Sequence, residues 1–273
     1  MPELPEVETV VRDLRPMLIG KRLAAIRRSK HQLRTKWSNA WEPRLIGSRI
    51  DAIRRRGKWI LIDLQPQGLF VVHLGMTGQL TVTPCATPLE NHVHLVCDLD
   101  AGAEQLRFRD IRRFGSATYH DDETAWNSAH AEDLGPEPFD LTALAFRQSL
   151  SRTDRCVKAV LLDQSVVAGV GNIYADESLF AARINPHRLG SDLSSGEAEL
   201  IRRAIVRVLT RAIKYRGSSI RNYVGGSGLK GKFQNEFSVY GRTGEPCRRC
   251  QTKIERVRLA GRSTHYCPNC QKV

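Results

Sequence analysis

The sequence Met1-Pro-Glu-Leu-Pro-Glu-Val-Glu8 begins the chain and predicts its first structural element. Apolar residues follow at the helical spacing i, i+3, i+4 and i+7, namely Val7, Val10, Val11 and Leu14. This spacing predicts an amphipathic helix that starts at Pro5, and Pro16 and Gly20 are expected to end it.

The pair Pro2-Glu3 in the same stretch predicts a reactive group. A methionine that precedes proline is normally removed, so we expect Pro2 to carry a free secondary amine. An α-amino group, with a pKa of roughly 7.7 to 8.0 in model peptides, is partly deprotonated near neutral pH and can attack a sugar C1′. At this point a structural interpretation stays open, in which the prolines begin a helix and the glutamates complement its dipole.

Length and charge narrow the class of protein. A chain of 273 residues is long enough for two domains, and its 42 Lys and Arg against 29 Asp and Glu give a net charge of +13. Thirteen of the basic residues lie between positions 21 and 58, where only Glu42 and Asp51 are acidic. This excess indicates a polyanionic partner, with nucleic acid favoured over a membrane surface.

The sequence has no apolar run long enough to cross a membrane and no secretion signal at its start. Its seven cysteines include a cluster near the end that is typical of a metal site in a reducing compartment. We therefore expect a protein of the cytoplasm or nucleoid that does not act on membranes.

Alternating and helical patterns divide the chain into regions. Short β-rich runs at 59–64, 69–74, 94–99 and 116–119 predict an antiparallel sandwich. Residues 121–140 are acidic and lack Lys and Arg, which indicates a domain boundary. A helical pattern fills 141–215 and includes the capping box Ser194-x-x-Glu197, whereas the glycine-rich residues 216–234 predict a mobile active-site loop.

The strongest local pattern is Cys247-Arg-Arg-Cys250, sixteen residues, and then Cys267-Pro-Asn-Cys270. Two C-x-x-C pairs at this spacing predict one structural Zn²⁺ held by four thiolates, and no organic cofactor is expected. Residues 241–273 also hold eight Lys or Arg against two Glu, so we expect this zinc hairpin to bind nucleic acid. The remaining cysteines, Cys85, Cys97 and Cys156, are interpreted as isolated core or surface residues.

Further motifs allow either a structural or a functional interpretation. Gly169-Val-Gly171-Asn172 opens a helix, where free backbone N–H groups can bind a phosphate, but such a turn is also a common connection between helices. Lys58 ends a basic run at a strand start; basic runs are usually solvated, although one at a strand end can point into a groove. Asp110-Ile-Arg-Arg-Phe-Gly115 places Phe beside Arg in a turn, which favours a side chain that enters a base stack.

Taken together, these residues resemble the bacterial formamidopyrimidine-DNA glycosylases from one end of the chain to the other. The matching segments are Pro2-Glu-Leu-Pro-Glu-Val-Glu8, Gly57-Lys58, His73-Leu-Gly-Met-Thr-Gly-Gln-Leu80, His92-x-His94, Asp110-x-Arg-Arg-Phe-Gly115, Leu162-Asp-Gln164, Val167–Ser178, Phe233-Gln234, Val239-Tyr-Gly-Arg242 and the four cysteines.

The resemblance implies an α+β multidomain fold. An N-terminal helix with an antiparallel β-sandwich would form residues 1–134. A helix-two-turn-helix domain with the glycine-rich loop would form 135–238, and a zinc-finger β-hairpin would form 239–273. The expected partner is double-stranded DNA with oxidised purines, such as 8-oxoguanine or formamidopyrimidines, or with abasic sites, and the expected state is a monomer.

The resemblance also implies a role for individual residues. Pro2 would attack C1′ and form a Schiff base, Glu3 would donate a proton, and Lys58 and Arg262 would assist β- and δ-elimination. The residues expected to fill the space left by the flipped base are Met76, Arg112 and Phe114. The residues expected to hold the DNA backbone are His92, Thr153, Lys158 and Asn172.

Departures and rival functions remain. The family often has a lysine-rich run where this chain reads Arg152-Thr-Asp-Arg155, so the contact expected at Thr153 could pass to Arg152 or Arg155.

The sister glycosylase for oxidised pyrimidines shares fold and mechanism, but it usually has glycine where Leu4 stands here. A zinc-containing DNA-binding protein without catalysis is the alternative from a different class, and the presence of Pro2, Glu3 and Lys58 argues against it.

Overall fold

The structure, a computed structural model, describes residues 2–100, 102–130, 134–219 and 224–272. The chain forms two compact units. The N-terminal unit contains Met1–Ala131 and Tyr215–Lys232, and the C-terminal unit contains Glu132–Lys214 and Phe233–Val273. The glycine-rich segment therefore packs with the N-terminal residues, although it follows the helical region in sequence.

Helix α1, Leu4–Leu18, begins the N-terminal unit with a capping box between Glu3 and Glu6. Its apolar face is fully buried, as the spacing predicts. The helix continues two residues beyond Pro16, which was expected to help end it. Proline removes only the hydrogen bond to the carbonyl of Arg12, an exposed residue, while Leu18 remains buried.

Two antiparallel sheets follow α1. The first has the order β1–β6–β7–β5, and the second has the order β2–β3–β4–β8. The strand bounds are β1 Leu23–Arg28, β2 Arg49–Arg56, β3 Trp59–Gln65, β4 Leu69–His73, β5 Gly78–Pro84, β6 Val93–Leu99, β7 Glu104–Asp110 and β8 Ser116–His120. Side chains from both sheets and from α1 form one apolar core, which confirms the sandwich.

The four strands predicted from sequence correspond to β3, β4, β6 and β8, while β2 and β7 carry too many arginines for the pattern to show. Strand β2 lies at a sheet edge, where arginines can remain partly solvated. Strand β7 is central and buries Arg107, whose guanidinium donates to the carbonyl oxygens of Pro88 and Thr87 at 3.1 and 2.7 Å. A cation can be buried only beside such partners, and these come from distant parts of the chain, so the sequence pattern does not reveal them.

The helices after α1 are α2 Glu42–Leu45, α3 Glu123–His130, α4 Ala143–Ser151, α5 Val157–Leu162, α6 Asn172–Ala182 and α7 Ser195–Lys214. The predicted capping box is present at α7, where Glu197 N donates to Ser194 Oγ at 3.2 Å and Ser194 N donates to Glu197 Oε2 at 2.8 Å. Gln164 closes the turn between α5 and α6, because its side chain bonds the backbone of Leu162, Gly169 and Val170.

Strands β9, Glu255–Leu259, and β10, Arg262–Tyr266, form the C-terminal antiparallel hairpin. The predicted fold class, an α+β chain with sandwich, helical region and zinc-finger hairpin, is confirmed. The three-domain division at 134 and 238 stays a prediction. Among the described helices, none is both long and apolar enough to span a membrane.

Candidate functional site

Pro2 and Glu3 lie buried at the N-terminus of α1, and Glu3 is 2% exposed. Glu6, one turn further on, holds this end of the chain in two ways. Its Oε2 accepts the backbone N–H of Glu3 at 2.9 Å, and its Oε1 accepts the N–H and the hydroxyl of Ser218 at 2.7 and 3.0 Å. The glycine-rich segment therefore starts beside the candidate nucleophile.

The remainder of that segment also contacts α1. Asp13 Oδ2 accepts the Arg216 guanidinium at 2.7 Å and the Ser227 hydroxyl at 2.9 Å. The predicted mobile loop is thus bonded to the first helix on both sides of residues 220–223, which lie outside the described residues.

Lys58 lies in the turn between β2 and β3 and is 7% exposed. Its positive charge acts on His73 at the end of β4, and His73 Nδ1 accepts the N–H of Gly75 at 3.1 Å. Burial, together with the nearby positive charges of Lys58 and Arg34, lowers the pKa of His73 to about 4. His73 is therefore neutral at pH 7, and its remaining proton is on Nε2, because Nδ1 accepts the N–H of Gly75.

The depressed pKa of His73 predicts acid sensitivity. Below about pH 6.5 the unfolded state binds a proton that the folded state excludes, so stability falls until about pH 4. We expect a loss of about 3 kcal/mol from this group, and His73→Asn, whose amide oxygen can replace Nδ1, should not show it. Urea midpoints of both proteins at pH 7 and pH 4.5 measure the difference; equal losses would contradict the assignment.

The turn at 110–115 is held by the carboxylate of Asp110, which is fully buried. Asp110 Oδ2 accepts the N–H of Gly115 at 2.7 Å, and Oδ1 accepts the N–H of Arg112 at 3.2 Å and the hydroxyl of Thr77. Thr77 Oγ1 in turn accepts the N–H of Arg112 at 3.0 Å. These bonds fix the backbone while leaving the side chains of the turn outside.

The turn presents Arg112 and Phe114 to solvent. Phe114 is 44% exposed, and the Arg112 guanidinium lies 4.5 Å above its ring. The turn that carries Met76 packs directly against it, because a Cβ on Gly75 would lie 2.5 Å from the backbone of Phe114 and Gly115. The structure therefore brings the three predicted space-filling residues together.

His92 lies next to the same turn. Its carbonyl accepts the N–H of Asp110 at 2.9 Å, its side chain is exposed, and its φ of +68° bends the chain there. His92, which is predicted to contact the DNA backbone, therefore lies beside the turn that carries the exposed Phe114.

Asn172 begins α6 and donates through Nδ2 to the carbonyl of Ser263 in β10 at 2.8 Å. Lys158 differs from the expected surface contact, since it is fully buried. Its ammonium pairs with Asp176 and donates to the Asn172 carbonyl at 3.1 Å. Asp176 Oδ2 also accepts the backbone N–H of His265 at 3.0 Å. Lys158 therefore positions Asn172 rather than reaching the surface.

The two arginines of the sequence Arg152-Thr-Asp-Arg155 differ in how they are paired. Thr153 Oγ1 accepts two bonds from Arg155, whose guanidinium also pairs with Asp163 at 2.8 Å. Arg152 is exposed and makes no ion pair with the described residues. Among Arg152, Thr153 and Arg155, the residues considered for the phosphate contact, Arg152 is therefore the cation available to an incoming phosphate.

Four sulfur atoms meet in the C-terminal region. Cys247, Cys250, Cys267 and Cys270 place their Sγ atoms within 4.8 Å of one another. The Cys250–Cys267 and Cys247–Cys270 separations are 3.4 and 3.9 Å. A tetrahedral ion with Zn–S bonds of about 2.3 Å requires sulfurs roughly 3.8 Å apart, so this set fits Zn²⁺. The zinc site predicted from the spacing is confirmed.

The zinc hairpin packs on α6. Cys247 and Cys267 share an apolar cluster with Phe180 and Ile254, and the Arg249 guanidinium lies 4.2 Å above the Phe180 ring. At the hairpin tip, Arg262 is exposed and directly follows the turn Ala260-Gly261. The metal thus holds a hairpin whose tip carries the predicted elimination residue.

Sequence reasoning missed several residues that build these sites. Glu6 has a recognisable signal, because it stands three residues after Glu3 as a capping box requires. Asp110 belonged to a motif noted in the sequence, but its hydrogen bond with Thr77 was not expected. Asp176 has no local signal, since His265 is 89 residues away.

Comparison with protein-family models matches three segments of the chain. Residues 1–117 match the formamidopyrimidine-DNA glycosylase N-terminal domain, and residues 134–224 match the H2TH domain of formamidopyrimidine-DNA glycosylase. Residues 244–273 match the zinc finger found in FPG and IleRS. The third match agrees with the cysteine cluster.

Whole-chain relatives agree with these models. The formamidopyrimidine-DNA glycosylase of Carboxydothermus hydrogenoformans is 42% identical over all of both chains, and that of Moorella thermoacetica is 47% identical over 94% of this chain and 95% of its own. A Lactococcus lactis FPG mutant in complex with Fapy-dG DNA has a TM-score of 0.93 at 36% identity, covering both chains completely. The chain therefore belongs to the formamidopyrimidine-DNA glycosylase family, as its N-terminal motif, its sandwich and its zinc hairpin together require.

Proposed function

We propose that this member of the family is a bifunctional DNA glycosylase and AP lyase that removes oxidised purines from double-stranded DNA through Pro2. The observation that carries the proposal is the Pro2-Glu3 pair, held by Glu6 at the start of α1 in a chain that matches such enzymes over its whole length. Solved relatives bound to Fapy-dG DNA and to abasic-site DNA support the same lesions as substrates.

In the first step the lone pair of the Pro2 nitrogen forms a bond to C1′ of the lesion nucleotide. The bond between C1′ and the base breaks, and the base leaves with the electron pair and takes up the proton that the Pro2 nitrogen loses. The sugar ring then opens, because the C1′–O4′ bond breaks as the iminium forms and O4′ takes a proton from Glu3. Glu3 directly follows Pro2 in the chain, and its burial keeps this carboxyl away from bulk water.

The lyase steps begin from this iminium. Loss of a C2′ proton expels the 3′ phosphate in β-elimination, and a second elimination expels the 5′ phosphate. Lys58 is proposed to assist the first elimination, since its side chain brings positive charge beside the neutral His73. Arg262 is proposed to assist the second. Hydrolysis then releases Pro2 and leaves a one-nucleoside gap.

The remaining predicted residues are proposed to hold DNA rather than to react. Met76, Arg112 and Phe114 fill the space left by the flipped base, and the backbone contacts come from His92, Asn172 and the cation at Arg152. Lys158 acts through Asn172. Zn²⁺ has a structural role in this scheme, and Cys247, Cys250, Cys267 and Cys270 would hold it.

The proposed context is a monomer in the bacterial cytoplasm or nucleoid, where DNA is found and thiolate zinc sites stay reduced. The proposed division into domains remains 1–134, 135–238 and 239–273, and the three matched family segments support it.

Borohydride trapping tests the function directly, because borohydride reduces only an iminium to a stable covalent adduct. Duplexes with 8-oxoguanine, with an oxidised pyrimidine, with an abasic site and without damage should be compared. We expect adducts with 8-oxoguanine and the abasic site. Faster trapping on the oxidised pyrimidine would favour the sister glycosylase, and binding without any adduct would indicate a non-catalytic DNA-binding protein.

The exposed Phe114 gives a separate prediction. Phe114→Ala should raise the free energy of the flipped state by a few kcal/mol and slow excision of 8-oxoguanine from duplex DNA. Cleavage of a preformed abasic site should change much less, because no base has to be extracted. Single-turnover rates on both substrates measure the effect, and equal losses would indicate misfolding or a direct chemical role. Leu89→Ala, which truncates another exposed apolar side chain, is the control.

A further inference from the structure

A cavity of about 220 Å³ lies in the N-terminal unit between the end of β1 and the segment that follows it. None of the residues assigned above as catalytic or DNA-binding lines it. We call it the basic cavity, and the lining residues used below are Arg28, Lys30, His31, Lys36, Trp37 and His94.

Two lysines of the basic cavity carry positive charge without matching carboxylates. Lys30 and Lys36 are exposed and form no ion pair with the described residues. Neighbouring cations are different, since Lys21 pairs with Glu104 and Arg27 pairs with Asp98 at 2.7 Å. Two uncompensated ammonium groups at one concave site favour an anion.

Two further groups in the basic cavity are hydrogen-bond donors. Arg28 is held by Glu42 at 2.7 Å and lies 5.7 Å above the Trp37 ring, so its guanidinium has a defined position. Trp37 Nε1 is buried and has no hydrogen-bond partner in the described part of the chain. An indole N–H only donates, so an acceptor-rich ligand would satisfy it.

The basic cavity is bonded to the 110–115 turn through His94. Ser29 N donates to the His94 carbonyl at 3.0 Å, and Ser29 Oγ contacts His94 Nδ1 at 2.9 Å. His94 Nε2 lies 3.0 Å from the Asp110 carbonyl, which can only accept, so Nε2 carries the proton. Arg34 N also donates to the Gly115 carbonyl at 3.0 Å.

We propose that the basic cavity binds a backbone phosphate of the DNA duplex, outside the lesion nucleotide, and thereby holds the duplex against the 110–115 turn. The inference rests on the proposed function, because that turn must enter DNA for a neighbouring phosphate to reach the cavity. A phosphodiester offers several acceptor oxygens and one negative charge, which suit the lysines and the Trp37 N–H.

The test is the salt dependence of binding to undamaged duplex DNA, which requires no catalysis. The double variant Lys30→Ala/Lys36→Ala should weaken binding and reduce the log-affinity versus log-salt slope by about 0.9, the value for one phosphate that is no longer neutralised. The matched control Lys21→Ala/Arg27→Ala removes the same charge from ion-paired residues outside the cavity and should change the slope less. Equal slopes for both double variants would overturn the proposal.

Two further measurements separate this site from the rest of the protein. A duplex trimmed to the nucleotides next to the lesion cannot supply the outer phosphate, so wild type and Lys30→Ala/Lys36→Ala should bind it equally. Trapping of the abasic duplex at saturating protein should also be unchanged in the double variant. Failure of trapping in the wild type would refute the proposed function without testing the basic cavity, whose readout is the salt slope. Binding of inorganic phosphate that depends on Lys30 and Lys36, together with an unchanged DNA slope, would overturn the proposal in favour of free phosphate.

Discussion

A variant with one additional residue before Pro2 is expected to lose the borohydride-trapped adduct on an abasic duplex. The addition converts the Pro2 secondary amine into a tertiary amide, whose nitrogen lone pair is delocalised and cannot attack C1′. The rate should fall on the order of 10⁴-fold or more, as when the nucleophile of other enzymes is removed. Single-turnover trapping under saturating protein measures this loss without interference from affinity.

Two controls show whether the amine itself is responsible. A variant with one residue added after Val273 has the same increase in length and should form the trapped adduct at the normal rate. Pro2→Gly retains a free amine, although a primary one, and should keep part of the activity. Normal trapping by a chain verified to be blocked before Pro2 would remove Pro2 from the catalytic residues.

Replacing Cys267 with Ser is expected to release zinc and to weaken DNA binding strongly at moderate salt. Cys267 is fully buried, and its sulfur lies 3.4 Å from that of Cys250, so its removal opens the thiolate set. The hairpin then loses the ion that joins its two ends, and its arginines Arg256, Arg258 and Arg262 lose their positions. If these arginines no longer neutralise about three phosphates, the log-affinity versus log-salt slope should fall by about 2.7.

Most of the fold should survive zinc loss, because the hairpin's connection to the helices does not depend on the metal alone. Glu177 is buried on α6, and its carboxylate accepts the backbone N–H groups of Ser238, Val239 and Tyr240 at 2.9 to 3.0 Å. Circular dichroism should therefore keep most of its helix and strand signal, while products of an abasic duplex shift from δ- to β-elimination as Arg262 becomes disordered.

Cys85→Ser is the matched control for this experiment, since Cys85 is exposed and lies outside the cysteine cluster. It should retain zinc, affinity and salt slope. If Cys267→Ser lost its zinc but kept the wild-type affinity and slope, the hairpin would have no DNA-binding role and Arg262 would leave the catalytic proposal.

Local interactions explain which features could be predicted from the sequence. Helix α1 depends on residues three and four apart, so the spacing of Val7, Val10 and Val11 is sufficient to predict it. Its cap has the same local spacing, from Glu3 to Glu6, although it was not predicted. The zinc site could also be predicted, because each C-x-x-C turn presents two sulfurs from residues close in sequence. The only long-range assumption was that the two turns meet at one ion.

Long-range interactions explain what could not be predicted. Arg107 reads as a surface residue until β7 takes a central position and the carbonyl oxygens of Thr87 and Pro88 surround its guanidinium. Lys158 reads as a phosphate contact until α6 places Asp176 beside it and buries both.

The sequence by itself determined the helix, the alternation of the apolar strands, the four zinc ligands and, by resemblance, the reaction class. Only the tertiary structure decided that Asp110 and Thr77 hold the exposed Phe114 in place, that Glu6 joins Ser218 to the nucleophile's helix, and that the basic cavity meets the same turn. The physical reason is that a buried charge or donor is stable only beside its partner, and these partners are brought together by sheet order and helix packing rather than by spacing along the chain.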